Sequence, residues 1–92
     1  IPGKLSTYMF SEKPIIASIS GETNKIINEA NCGFASEAEN YYSLADNIIK
    51  FEQLPEEEKK KLGMNAKKYV SKFFEKKNIL NNLEEEIKNL IY

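Results

Sequence analysis

The sequence predicts an α/β chain with about two parallel strands and four to five helices. Three features carry that prediction: two short uncharged runs with strand character, a helical apolar period between them, and helical periodicity throughout the chain after Asn40. Strand, helix and strand in close succession have the rhythm of a parallel β-α-β unit with a right-handed crossover. At 92 residues there is room for one domain at most.

The first element runs from Lys4 to Ser11, a short helix with Leu5, Tyr8 and Met9 at i, i+3 and i+4. Pro14 ends it, because the residue before proline is pushed out of the helical region. Pro14 to Ile19 reads as a buried strand, β-branched and uncharged, bounded by Ser20-Gly21. Glu22 to Asn31 carries Ile26, Ile27 and Ala30 at helical spacing, and Gly33 stands where a C-terminal cap is expected. Gly33 to Ser36 is a second, shorter strand. Asn40 is the expected N-cap of a helix whose stripe is Tyr41, Leu44, Ala45, Ile48 and Ile49. Pro55 occupies the first position of the next helix, with Glu56, Glu57 and Glu58 at its positive end. Lys59, Lys60 and Lys61 follow at pairing distance, and Leu62, Ala66, Tyr69, Val70 and Phe73 supply a buried face. A separate last helix is expected from about Glu75 to Leu90, with Ile79, Leu80, Leu83, Ile87 and Ile91 recurring. Tyr41-Tyr42 and Phe73-Phe74 read as core aromatics.

Composition excludes several functions. The 13 basic residues are all lysine and nearly cancel 14 acidic ones, for a formal charge of −1. A nucleic-acid partner is therefore not expected, since its binding would rest on neutralising phosphates. With no histidine and one cysteine, no Ser-His-Asp or Cys-His device, no His-based metal site and no intramolecular disulfide can form, and no metal is expected. No apolar run approaches the roughly 20 residues of a membrane span. Ile1-Pro2-Gly3 has neither an initiator methionine nor a signal-peptide pattern, and two strands alone would leave long unpaired edges. The chain is accordingly expected to be a piece of a longer protein.

Two stretches have ligand-binding chemistry. Ser20-Gly21-Glu22-Thr23 falls between the carboxyl end of a strand and a helix start, where open α/β sheets hold ligands and free amides face phosphate. The same residues also suit plain structure: Ser20 caps, Gly21 turns, and Glu22 complements the helix dipole. Pro2-Gly3-Lys4-Leu5-Ser6-Thr7 leads into the first helix, and its amides with Lys4 suit a diphosphate or an ordinary helix start. Cys32 reads as a small buried apolar residue.

These segments, in order, resemble one family. Pro2-Gly3-Lys4-Leu5-Ser6-Thr7-Tyr8-Met9, Lys13-Pro14-Ile15-Ile16-Ala17-Ser18, Gly21-Glu22-Thr23 and Glu29-Ala30-Asn31-Cys32-Gly33 are similar to the carboxy-terminal lobe of family-4 glycosyltransferases. The likeness is dense over residues 2 to 33 and continues in register to about residue 73. It implies a partial Rossmann-like fold, with residues 1–92 forming the latter half of the nucleotide-sugar-binding lobe of a GT-B enzyme. Residues 74–92 would then be a C-terminal helix that crosses to the other lobe or meets a partner. The resemblance implies donor contacts at Gly3, Lys4, Leu5, Thr7, Gly21, Glu22 and Thr23. Thr7 stands at the family's ribose-binding glutamate, and Glu12 stands where the family places a glycine. The implied activity of the parent is retaining transfer of a sugar from a nucleoside diphosphate, UDP by branch, to a growing bacterial surface glycan. The nucleotide sugar is substrate and no cofactor is implied. The implied setting is the cytoplasm, often at the inner face of the cytoplasmic membrane through peripheral association. The expected partners are the missing amino-terminal lobe and a second copy, through an exposed sheet edge or helix face. The fragment alone is expected to be inactive. The rival reading is a helical protein-interaction module without catalytic activity, which explains Asn40 to Tyr92 and leaves the β-α-β segment without a purpose.

Overall fold

The computed structural model describes Ile1 and residues 3–19 and 21–91, with the side chain of Ile91 outside that description. The chain is α/β, with helices α1 (Gly3–Phe10), α2 (Glu22–Ala30), α3 (Tyr41–Gln53) and α4 (Glu56–Ile91). Strands β1 (Ile15–Ser18) and β2 (Gly33–Ser36) pair in parallel, with Ile15 opposite Gly33 and Ser18 opposite Ser36.

Alternation along the strands divides the molecule into layers. Ile15, Ala17 and Ala35 join the main core with Leu5, Met9, Ile26, Ile27, Cys32, Ala66 and Val70. Ile16 and Phe34 fall on the opposite face of the pleat. Helix α3 packs on both strands, while the first half of α4 lies across α1 and α2.

Crossover helix α2 ends in a Schellman motif, not at Gly33. Asn31 adopts the left-handed conformation (φ 51°, ψ 52°) and its N–H donates to the Asn28 carbonyl. The Cys32 N–H donates to Ile27, and both of those side chains are fully buried. Gly33 has a different task. A Cβ there would collide with the Ile15 main chain, so glycine permits close approach of the paired strands. Asn40 caps α3 as expected, its Oδ1 accepting from the Ser43 N–H at 3.1 Å. The sequence-based cap at Ser20 lies outside the described residues.

Two helical expectations are corrected. Helix α3 turns Asn47 inward and leaves Tyr41, Tyr42, Ile48 and Ile49 exposed, so the tyrosines are not core. A sheet of two strands is too narrow to cover the whole apolar stripe. The two expected C-terminal helices are one, because nothing between Phe73 and Glu75 breaks a helix. Phe74 packs against the core and Phe10, 5.6 Å between ring centroids, whereas Phe73 is partly exposed. At about 1.5 Å per residue α4 is about 54 Å long, close to the 57 Å longest dimension of the molecule. Its start keeps the expected ion pairs Glu56–Lys59 (3.6 Å) and Glu58–Lys61 (3.9 Å). Pro55 sits one residue earlier than expected, its carbonyl accepting from the Lys59 N–H.

Candidate functional site

The β-α-β arrangement brings the starts of α1 and α2 to the carboxyl end of β1. Between them lies a cavity of about 500 Å³, lined by Lys4, Leu5 and Tyr8 of α1, by Pro14 to Ile19, and by Thr23 of α2. It follows the outer edge of β1. The Ile15 N–H donates across to the Cys32 carbonyl at 2.9 Å. In a parallel ladder the main-chain groups of alternate residues point to opposite neighbours, so those of Ile16 and Ser18 face the cavity. The site therefore combines apolar walls, the outward-facing main-chain donors and acceptors of β1, and one ammonium. Lys4 is exposed and belongs to none of the ion pairs among the described residues.

The other side of β1 is closed. Asn24 Nδ2 donates to the Ser36 carbonyl at 3.0 Å, Ser36 Oγ donates to Ala17 at 3.3 Å, and Ser18 Oγ donates to Glu37 at 3.2 Å. These bonds stitch together the carboxyl ends of β1 and β2, leaving the outer edge of β1 as the open side. Asn24 Oδ1 is buried and accepts from no donor among the described residues.

Of the seven residues singled out from the sequence, Lys4, Leu5 and Thr23 line this cavity and Gly3, Thr7, Gly21 and Glu22 do not. Leu5 is a core side chain, so only its main chain is free for a ligand. Thr7 Oγ1 donates back to the Gly3 carbonyl at 3.3 Å, which spends its one donor within α1. Gly21 begins α2 at φ 87°, a conformation that favours glycine, and Glu22 lies in the first turn. Sequence reasoning missed Tyr8, Ile16 and Ile19 as walls. The i, i+3 spacing puts Tyr8 on the buried face with Leu5, but Met9 at i+4 takes that place and Tyr8 is 57% exposed.

Glu12 is a left-handed residue held by an ion pair. It has φ 57°, where a glycine would be unstrained, and its carboxylate pairs with Lys67 of α4 at 3.2 Å. Helix α4 is pinned beyond this by Asn65 Nδ2 donating to the Asn31 carbonyl and Tyr69 Oη donating to Glu29. Burial pushes the Cys32 thiol above its ordinary value, against a smaller lowering from its own backbone hydrogen bond, which keeps it a protonated core group.

Among the described residues no group of three or more Asp, Glu, Cys or His side chains gathers as a metal site. No described helix is long and apolar enough to cross a membrane. Compared with known proteins, the chain matches no family model, no curated protein and no solved structure.

Proposed function

We propose that this chain is the latter half of a Rossmann-like donor lobe in a retaining glycosyltransferase, one that uses a nucleoside diphosphate sugar. The observation that carries the reading is the convergence of two helix starts and Lys4 at the carboxyl end of β1, beside an open cavity. Helix amino termini present free N–H groups and the positive end of the dipole, which suits a diphosphate. The order of the four segments between Pro2 and Gly33 supports the same reading.

In the proposed reaction the sugar leaves the diphosphate and joins an acceptor hydroxyl with its anomeric configuration kept. Lys4 and the main chain of Gly3 and Leu5 hold the diphosphate as negative charge develops on it. Thr23 and the Gly21 turn border the same end. Tyr8, Ile16 and Ile19 give apolar walls to the remainder of the donor. Thr7 contributes less to the ribose than a carboxylate would. UDP is the preferred nucleotide, bacterial surface glycan the acceptor class, and the inner face of the cytoplasmic membrane the setting. The acceptor and catalytic groups belong to the absent lobe.

Titration of the ¹⁵N-labelled chain with UDP tests the reading. Amide shifts at residues 3–5, 16–19 and 22–23 are expected, with uridine alone giving weaker changes. Lys4→Ala should weaken UDP binding about tenfold, the worth of one charge-assisted hydrogen bond. Saturation elsewhere, or no shift at millimolar UDP, overturns the proposal.

A further inference from the structure

The second half of α4 has an apolar face with no partner among the described residues. Every residue from Glu75 to Leu90 is exposed, and Ile79, Leu80, Leu83, Ile87 and Leu90 are each about half exposed or more. Leu80, Leu83, Ile87 and Leu90 are spaced by three, four and three residues, which are the a, d, a and d positions of a heptad. The same register runs back through Lys76 to Phe73.

We infer that this face pairs two copies of the chain as an antiparallel two-helix coiled coil, with its two-fold axis between Asn81 and Asn82. Charge selects this arrangement. In the antiparallel form a positions meet d positions of the other copy, and e positions flank e positions. With the axis at residues 81 and 82, Leu80 meets Leu83, Lys76 meets Ile87, and Phe73 meets Leu90. Lys77 then lies beside Glu84 of the other copy, twice by symmetry, and Lys76 reaches toward Glu86. Sliding one heptad either way places Glu84 on Glu84 or Lys77 on Lys77. A parallel pairing stacks Lys76 on Lys76 and sets Lys72 against Lys77. Of these pairings only this one joins opposite charges without setting like charges against each other.

The ends of the pairing fit as well. Leu90 of each copy lands on Phe73, beside the Phe10 and Phe74 rings, where Phe10 and Phe73 are 45% and 39% exposed. Little more than two heptads bury less than a standard stable interface of about 1,600 Å². The dimer is therefore weak, with a dissociation constant on the order of 10–100 μM. It does not depend on the donor-lobe proposal.

Sedimentation equilibrium of the 92-residue chain across micromolar to millimolar concentration is the test. A monomer–dimer equilibrium is expected. Leu83→Glu, whose side chain is exposed, should abolish it with the body still folded by circular dichroism. Lys77→Glu and Glu84→Lys should each weaken association about tenfold, and the double variant should restore it. Tighter association of Lys77→Glu points to the parallel pairing and overturns the inference. A monomer at all concentrations, a higher oligomer, or no rescue in the double variant overturns it too.

Discussion

Glu12 and Gly63 form one structural unit. Where α1 turns toward β1, Glu12 takes a left-handed conformation and presents its carbonyl to α4, and Gly63 is the α4 residue that faces it. A Cβ at Gly63 would collide with that carbonyl group, whose carbon would lie 2.8 Å away. In an open helix Gly63→Ala would add about 1 kcal/mol of stability. Here it should lower stability by about 2 kcal/mol, because backbone and not a flexible side chain must yield. Glu12→Gly is expected to act in the opposite direction. Relief of about 1–2 kcal/mol of left-handed strain outweighs the greater freedom of the unfolded glycine and one exposed ion pair. A net gain of about 0.5 kcal/mol should appear in urea unfolding. Cys32 adds a pH dependence. Its folded thiol is raised above 9.0 by burial, so the unfolded chain loses that proton first as pH rises. Its stabilising effect is complete below about pH 9 and is lost as pH climbs through the folded value. Tyr69 acts the same way above 10.0, through desolvation first and then its bond to Glu29. Unfolding free energy should therefore fall at alkaline pH, and less steeply in Cys32→Ala. An equal slope in that variant would remove Cys32 from the explanation.

At the scale of elements, caps explain where helices begin and end, and packing decides which face turns inward. Asn40→Ala removes the acceptor for the Ser43 N–H and should cost about 1 kcal/mol, read as a lower urea midpoint. The left-handed Asn31 ends α2 so that Cys32 can enter the core one residue before β2. Helix α4 carries two different environments on one continuous ladder, its first half packed and its second exposed. Asn78→Pro should remove helical circular dichroism from the second half and leave the unfolding free energy of the body within about a few tenths of a kilocalorie per mole of its original value. A large loss of stability in dilute solution would mean that the second half supports the body.

For the molecule as a whole, stability should be distributed unevenly. Amide exchange measured in dilute solution should be slowest in α2, β2 and the Leu62 to Val70 stretch, where buried contacts concentrate. It should be fastest beyond Glu75, where hydrogen bonds of the helix face solvent on every side. The β1 edge lies between these extremes. Its inner hydrogen bonds join it to β2, while the outward groups of Ile16 and Ser18 depend on what enters the cavity. Protection of these two residues on adding UDP would tie the cavity to ligand.

The order of elements, both strands, their parallel pairing and the Asn40 cap follow from local chemistry. Proline, glycine and apolar spacing act through neighbours a few residues away, and those neighbours are visible in the sequence. Lys4 and Thr23 were legible as site candidates for the same reason, since each stands at a helix start beside a turn. What the tertiary structure alone decided depends on contacts between distant residues. Tyr8 became a cavity wall because Met9 took the place in the core. Gly33 admits Ile15 and Gly63 admits Glu12, with no local sign of either neighbour. Asn47 faces inward on α3 because a narrow sheet covers only part of its stripe. The stripe that enters the core through Ala66 and Val70 continues past Phe73 into water, where burial ends although the helix does not.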